Sequence, residues 1–374
     1  MLLVDLPTPT VLVERSTLRA NITRMQRAAT EAGIRLRPHA KTHKSAAIAQ
    51  WQLEAGAIGI TVAKVGEAEI FAEHGVSDIR IAYPLPPSTA PRILALMERV
   101  DVSIVVDNAC VAGYWSDVMV AARRQLNVLV KVDVGFHRCG IDPGASSAAS
   151  FVGQIAALPG LRLCGLLSHA GHGYDATAVD DVAAIARQEA ALLDTLAANV
   201  RGAGIAVEEI SVGSTPTARF SLKERVVTEL RPGNYVFFDL TQVALGAAAK
   251  GQCALTVLST VISRPAPDRL VLDAGSKTLS SDRARGPDAH AGFGAIRSDA
   301  RAHEINQALV VERLSEEHAV VAVIGNDTTL TPGDRVRLLP NHACVVANLT
   351  DALQLVDGDT VVETLPVQAR GKNA

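Results

Sequence analysis

The stretch Arg35-Leu36-Arg37-Pro38-His39-Ala40-Lys41-Thr42-His43-Lys44 passes from a β-forming run (35–39) into the helix-forming segment 45–55, and the chain repeats that passage again and again. Further β-rich runs lie at 58–63, 78–83, 101–107, 127–134, 161–169, 207–213 and 227–235, with segments rich in Ala, Leu, Glu and Gln between them, such as 176–203. Eight alternations within about 200 residues predict an α/β fold, a (β/α)8 TIM-type barrel over 14–245, although an open doubly wound sheet shares the local pattern. In such a barrel the carboxyl ends of the strands form the chemical face. Lys41 then stands where an amine can form an imine, whereas a loop lysine read alone is ordinarily just solvated.

The pattern changes after about Leu245. Runs at 253–263, 268–273, 308–312, 319–325, 334–346 and 360–365 read as strands, with turn signals at Asn326-Asp327, Pro332-Gly333 and Asp357-Gly358 and no long helix between them. A mostly-β C-terminal domain, 246–374, is therefore expected, joined by an N-terminal strand within 1–13; the polar, basic segment 281–291 reads as a mobile loop.

With 374 residues and 48% apolar content the chain can bury a substantial core. A net charge of −3 and only 3% aromatics argue against a nucleic-acid surface and for small-molecule chemistry. Met1-Leu2-Leu3-Val4 runs at once into Asp5, without the layout of a secretion signal, and no apolar run approaches the ~18 residues of a membrane span. A cytoplasmic protein is the expectation. Five scattered cysteines, an odd number, argue against a disulfide framework.

A barrel of this kind holds phosphate where strands seven and eight end. Gly213-Ser214-Thr215-Pro216-Thr217 follows the seventh run, and Arg231-Pro232-Gly233-Asn234-Tyr235 lies in the eighth. Glycines allow close backbone approach and hydroxyls donate, so the two segments together favour an anion site. A lysine across the barrel mouth from a phosphate cradle fits pyridoxal 5′-phosphate, and Arg138, in the Asp133 to Gly140 segment, can reach the cofactor's phenolic oxygen.

These segments together, spread over nearly the whole chain, resemble the alanine-racemase-type pyridoxal-phosphate barrel, and more closely its D-threonine aldolase and D-serine dehydratase branch. The resemblance implies that Lys41 carries the cofactor, with Lys44 the competing choice, that Arg138 sits near the phenolic oxygen, and that Ser214 and Gly233 hold phosphate. It implies too that His169 and Tyr174, in Ser168-His169-Ala170-Gly171-His172-Gly173-Tyr174, line the pocket beside Gly213, Thr215, Arg231, Asn234 and Tyr235.

A second chemical signal is His342-Ala343-Cys344. Residues i and i+2 of a strand share a face, so an imidazole and a thiolate can hold one Zn²⁺, with water or substrate completing an open set. The resemblance to the D-serine dehydratase branch, which binds zinc through such a pair, supports that reading. A racemase of this fold uses a tyrosine from the β domain of the partner subunit as its second base, yet the tyrosines are Tyr83, Tyr114, Tyr174 and Tyr235. Racemisation is thus disfavoured. What the resemblance implies instead is a homodimeric lyase acting on D-β-hydroxy amino acids: a D-serine or D-3-hydroxyaspartate dehydratase, with retro-aldol cleavage to glycine and an aldehyde as the alternative. Aldolases of this branch usually carry His-x-Asp here, and thiolate suits zinc better than magnesium or manganese.

A pyridoxal-phosphate carrier without catalysis is a further alternative, although such relatives lack a β domain. Among other residues, His39 and His43 flank Lys41 and read as rim histidines, and Ser276 stands where related dehydratases tend to have an aromatic. Glu316-Glu317-His318 looks like a metal cluster but falls in a strand-to-strand region.

Overall fold

The computed structural model describes residues 1–297, 304–326 and 328–374. Eight parallel strands form the N-terminal sheet, each at one of the β-rich runs: β2 (Arg35–Leu36), β3 (Ile60–Val62), β4 (Asp78–Pro84), β5 (Asp101–Val106), β6 (Leu126–Lys131), β7 (Leu161–Leu167), β8 (Glu209–Val212) and β9 (Glu229–Leu230), after a first strand β1 (Thr10–Glu14) outside this sheet. Their order is β2-β9-β8-β7-β6-β5-β4-β3. Closure comes from a parallel bridge between His39 and Thr61, where the Thr61 amide donates to the Pro38 carbonyl at 2.7 Å. The barrel is therefore complete.

Buried on both faces, these strands need apolar side chains outward, against the helices, and ordered packing inward. The outward Ile104, Val106, Val128 and Val130 join the large cluster under the helices, whereas Val105, Leu129, Cys164 and Leu167 form a small inner one. Inward positions alternate, so Leu129 and Lys131 share the inner face and Lys131 reaches the carboxyl end.

The second sheet has nine strands: β1 together with β10 (Leu255–Ala266), β11 (Arg269–Leu272), β12 (Ala295–Arg297), β13 (Ile305–Leu314), β14 (Ala319–Val323), β15 (Arg335–Leu339), β16 (Ala352–Asp357) and β17 (Thr360–Pro366). The twelve-residue β10 pairs with β1 and β15 along one part and with β11 along the other, so six strands close on themselves. As expected, the N-terminal strand joins this sheet, pairing with β10 and β16.

Two expectations are corrected. The run 334–346 is not one strand: β15 ends at Leu339, and a helix, Ala343–Leu349, follows. Strands β12 and β16 lie in segments with no strand expected. Of the expected Asn326-Asp327 turn, Asp327 lies outside the described residues. No helix among the described residues is long and apolar enough to cross a membrane.

Candidate active site

Strand β2 stops before Pro38, and the chain turns through a single 3-10 turn, Ala40–Thr42, that carries Lys41 into a cavity of about 800 Å³ at the carboxyl face of the barrel. The Lys41 amine meets the solvent of that cavity, yet protein encloses it. Enclosure lowers its pKa, the Cys344 thiolate works against that, and Arg138 and Arg231 lower it further. Lys44 lines the same cavity, but its amine is already engaged. Its backbone sits at φ 49°, and its amine reaches Glu67 at 3.3 Å and Asn373 Oδ1 at 3.1 Å. Of the two flanking histidines, His39 lines the cavity. His43 is no rim residue, being wholly buried with Nε2 against Gln52 at 3.2 Å.

The loop after β6 is shaped by Asp133, whose Oδ1 accepts the Gly135 and His137 amides at 3.0 Å, and by Asp107, which accepts the Gly140 amide at 2.9 Å. It places the Arg138 guanidinium 5.0 Å from the Phe136 ring, whose edge meets His169 at 5.8 Å. His169 Nδ1 donates to the Gly213 carbonyl at 2.5 Å, which leaves Nε2 unprotonated. Burial, then the charges of Lys41 and Lys131, hold this imidazole well below its ordinary pKa, so it is neutral.

Lys131 was not singled out in the sequence, where it hides in the apolar run Asn127-Val128-Leu129-Val130-Lys131-Val132. Its position at the carboxyl end of a barrel strand was the available signal. Burial, and then Arg231, push its amine down to about 7. Beneath it, burial pushes the Glu189 carboxyl up to about 7 although Ser168 Oγ donates to it at 2.5 Å.

Phosphate-sized room lies across from Lys41. The Ser214 and Thr215 hydroxyls are buried without hydrogen-bond partners, and so is Asn234 Oδ1. At Gly233 a Cβ would come 2.6 Å from Thr42 Oγ1 and 2.9 Å from the His39 carbonyl oxygen, so only glycine fits. The two orphaned hydroxyls beside a glycine-tight wall fit an anionic headgroup. Arg231 forms the floor, its Nε donating to Ser211 Oγ at 2.7 Å. Tyr174 lines the cavity as expected, and burial raises its phenol. Two expected residues stand back from it: Gly213 orients His169, and Tyr235 is wholly buried in the core, its hydroxyl accepting from Gln52 Nε2 at 2.9 Å.

His342 and Cys344 reach the same cavity by a different geometry from the one expected. His342 is the extended residue preceding the Ala343–Leu349 helix, and Cys344 lies in its first turn, so a helix start rather than a strand face brings them together. His342 Nδ1 donates to Asp282 Oδ2 at 2.6 Å, so Nε2 is the ring nitrogen that a cation would take on displacing its proton. Burial drives the Cys344 thiol up, but His342 outweighs it and the net shift is downward. Burial likewise opposes protonation of His342, and the thiolate raises it to about 10. Such a charge-separated pair is what a soft cation would displace a proton from. Among the described residues no group of three or more His, Cys, Asp or Glu could hold a metal, so this set is two-membered and open. Cys344 Sγ lies 3.4 Å from the hydroxyl of Thr42, the residue next to Lys41.

The segment 281–291, read in the sequence as a mobile loop, is irregular and anchored over the cavity: Asp282 accepts from His342, the Arg285 amide donates to Thr241 Oγ1 at 3.2 Å, and the Arg285 side chain pairs with Asp175. Glu316 and Glu317 pair with Lys277 at 3.1 and 2.7 Å in the turn between β13 and β14, away from the cavity, and Ser276 starts the Ser276–Leu279 helix against that turn.

The alanine racemase N-terminal domain model matches residues 13–241, and a serine dehydratase domain model matches 254–356. D-threo-3-hydroxyaspartate dehydratase of Delftia sp. (strain HT23) is 34% identical over 371 residues, which cover 97% of this chain and 97% of that protein. D-threonine aldolase of Arthrobacter sp. is 34% identical over 372 residues, covering 99% and 94%. A solved structure, a cysteine-to-alanine mutant of D-threo-3-hydroxyaspartate dehydratase in the metal-free form, superimposes with a TM-score of 0.92 at 32% identity over 98% of both chains.

Proposed function

This chain belongs to the alanine racemase N-terminal domain family, and from that premise we propose that it is a lyase dependent on pyridoxal 5′-phosphate and zinc, cytoplasmic and homodimeric, that dehydrates D-β-hydroxy amino acids to a keto acid and ammonia. One observation carries the reading: the Lys41 amine and the His342–Cys344 pair open into one cavity, joined through Thr42. The orphaned hydroxyls of Ser214 and Thr215 are suited to the cofactor's phosphate, and the thiolate, with an imidazole aimed by Asp282, suits zinc.

When bound, the two groups supply an electron-withdrawing ring for the carbanion at Cα and a Lewis acid at the β-oxygen. The protein's part is positional and acid–base. Lys41, its charge disfavoured by enclosure and by Arg138 and Arg231, takes the proton from Cα. Neutral His169, fixed in one tautomer by Gly213, presents an acceptor rather than a charge to the cavity. Arg138, held by the Asp133 loop, presents a permanent cation, and Tyr174 keeps its phenol protonated as a donor.

Product analysis by mass spectrometry tests the assignment: D-serine and D-threo-3-hydroxyaspartate, incubated with enzyme and zinc, are expected to give keto acid and ammonia, and chelation is expected to stop it. Glycine plus an aldehyde would transfer the assignment to the aldolase reaction of the Arthrobacter relative.

A further inference from the structure

The cavity is lined by eight Lys and Arg side chains against three carboxylates. Most of this charge is already spoken for. Lys44 is paired with Glu67, and Arg285 with Asp175. Lys131, Arg138 and Arg231 surround the floor below Lys41, and Lys64 lies over the Tyr83 ring at 4.0 Å on the barrel side of the mouth. Arg283 differs in origin: like Lys64 and Arg138 it lies by an aromatic ring, but it comes from the 281–291 segment and not from the barrel. Its guanidinium carbon stands 4.1 Å from the centre of the Phe293 ring, and it has no carboxylate partner among the described residues. The neighbouring acid, Asp282, is committed to His342 Nδ1 at 2.6 Å.

That last contact locates Arg283. Because Asp282 is tied to His342, the adjacent Arg283 lines the same cavity from the 281–291 segment. A substrate whose Cα faces Lys41 and whose β-oxygen faces His342 and Cys344 would carry its remaining Cβ substituent toward Arg283. Stacking on Phe293 holds the guanidinium plane while leaving its N–H fork open, the arrangement that binds a carboxylate with two parallel hydrogen bonds. We propose that Arg283 is a specificity-determining residue that reads a negative charge on Cβ, so that the preferred substrate is a β-hydroxy D-amino acid with a second carboxylate, not D-serine. This rests on the lyase reading above for the placement of Cα and the β-oxygen.

Two measurements test it. In steady-state assays of the holoenzyme, wild type is expected to favour D-threo-3-hydroxyaspartate over D-serine in kcat/KM. Arg283→Met is expected to lose about ten- to a hundredfold on the dicarboxylate, mainly through KM, the range of one charge-assisted contact, while D-serine changes by less than about threefold. Arg283→Lys should recover part of the loss. Equal losses on both substrates, or a loss seen with Lys64→Met instead, would overturn the proposal. The second measurement needs no turnover: calorimetry with D-malate and 3-hydroxypropionate, which differ by the one carboxylate on the hydroxyl-bearing carbon and lack the amine. Arg283→Met should weaken only D-malate, and unchanged D-malate affinity would defeat the inference. If wild type turns over neither amino acid, it is the lyase assignment that fails, and the calorimetry alone decides the role of Arg283.

Discussion

Lys41 and Lys44 lie three residues apart in one loop and carry the same amine, so the sequence alone left both open as the cofactor lysine. Surroundings separate them. Lys41 opens into the cavity with its charge disfavoured, while the Lys44 amine is tied to Glu67 and to Asn373 near the end of the chain. Adding pyridoxal phosphate to purified protein should therefore produce the visible absorption band of lysine-bound cofactor in wild type and in Lys44→Ala, and none in Lys41→Ala. The reverse pattern would move the chemistry to Lys44. The neighbourhood of Lys131 shows why some of the site escaped notice: one lysine in an apolar strand looks like an edge residue until the inward alternation of a closed barrel puts it on the floor.

Element by element, the eight barrel strands were legible because buried parallel strands need β-branched and aliphatic runs, and helices between them need none. The metal pair was legible for its chemistry but not for its geometry. Leu339-Pro340-Asn341 contains the breakers that end β15, yet the apolar residues beyond them resemble a continuing strand until tertiary packing makes them a helix. A less visible feature lies inside the barrel toward its amino end, where an ionic layer occupies positions usually filled by aliphatics. Glu229 is wholly buried and takes Arg37 Nε at 2.8 Å, Ser211 Oγ at 2.6 Å and the Arg80 guanidinium, which also donates to Glu209 at 2.9 and 3.0 Å. Burial alone would keep Glu229 protonated, and the two arginines outweigh it and hold the carboxyl well below its usual range. Removing one member strands buried charge, so Glu229→Ala is expected to cost about 3–5 kcal/mol in urea unfolding. At low temperature any change in KM should be small beside the loss of stability, because Glu229 touches the cavity floor indirectly, through the Ser211 hydroxyl that accepts from Arg231. A loss below about 1 kcal/mol would mean that water already solvates this layer through the polar cavity of about 630 Å³ that borders it.

At the scale of the whole molecule the site exists only because two closed sheets are held in one register, and Asp239 is the point of attachment. It caps the short helix Leu240–Ala244, Oδ1 accepting the Gln242 amide at 3.0 Å. Its Oδ2 accepts both Asn234 Nδ2 at 2.6 Å, from the phosphate wall, and the Ala343 amide at 2.9 Å, between His342 and Cys344. The backbone continues the seam, Leu240 N–H donating to the Pro340 carbonyl at 3.1 Å. One carboxylate thus ties the cofactor side to the metal side, and nothing in the local sequence Phe238-Asp239-Leu240 announces it, since the partner on the metal side, Ala343, lies about a hundred residues away. Asp239→Ala leaves the Ala343 amide unpaired in a buried place, a cost of about 1–3 kcal/mol, and frees the first turn that positions Cys344. Zinc bound per protomer, measured by atomic emission after dialysis, should fall severalfold while the cofactor's absorption band persists. Asp239→Asn, which keeps one acceptor oxygen, should restore part of the zinc. Were both ligands lost together, Asp239 would be supporting the fold as a whole; were neither lost, the metal pair would be held by the β domain alone, and the register of the two sheets would matter less than the hydrogen bonds imply.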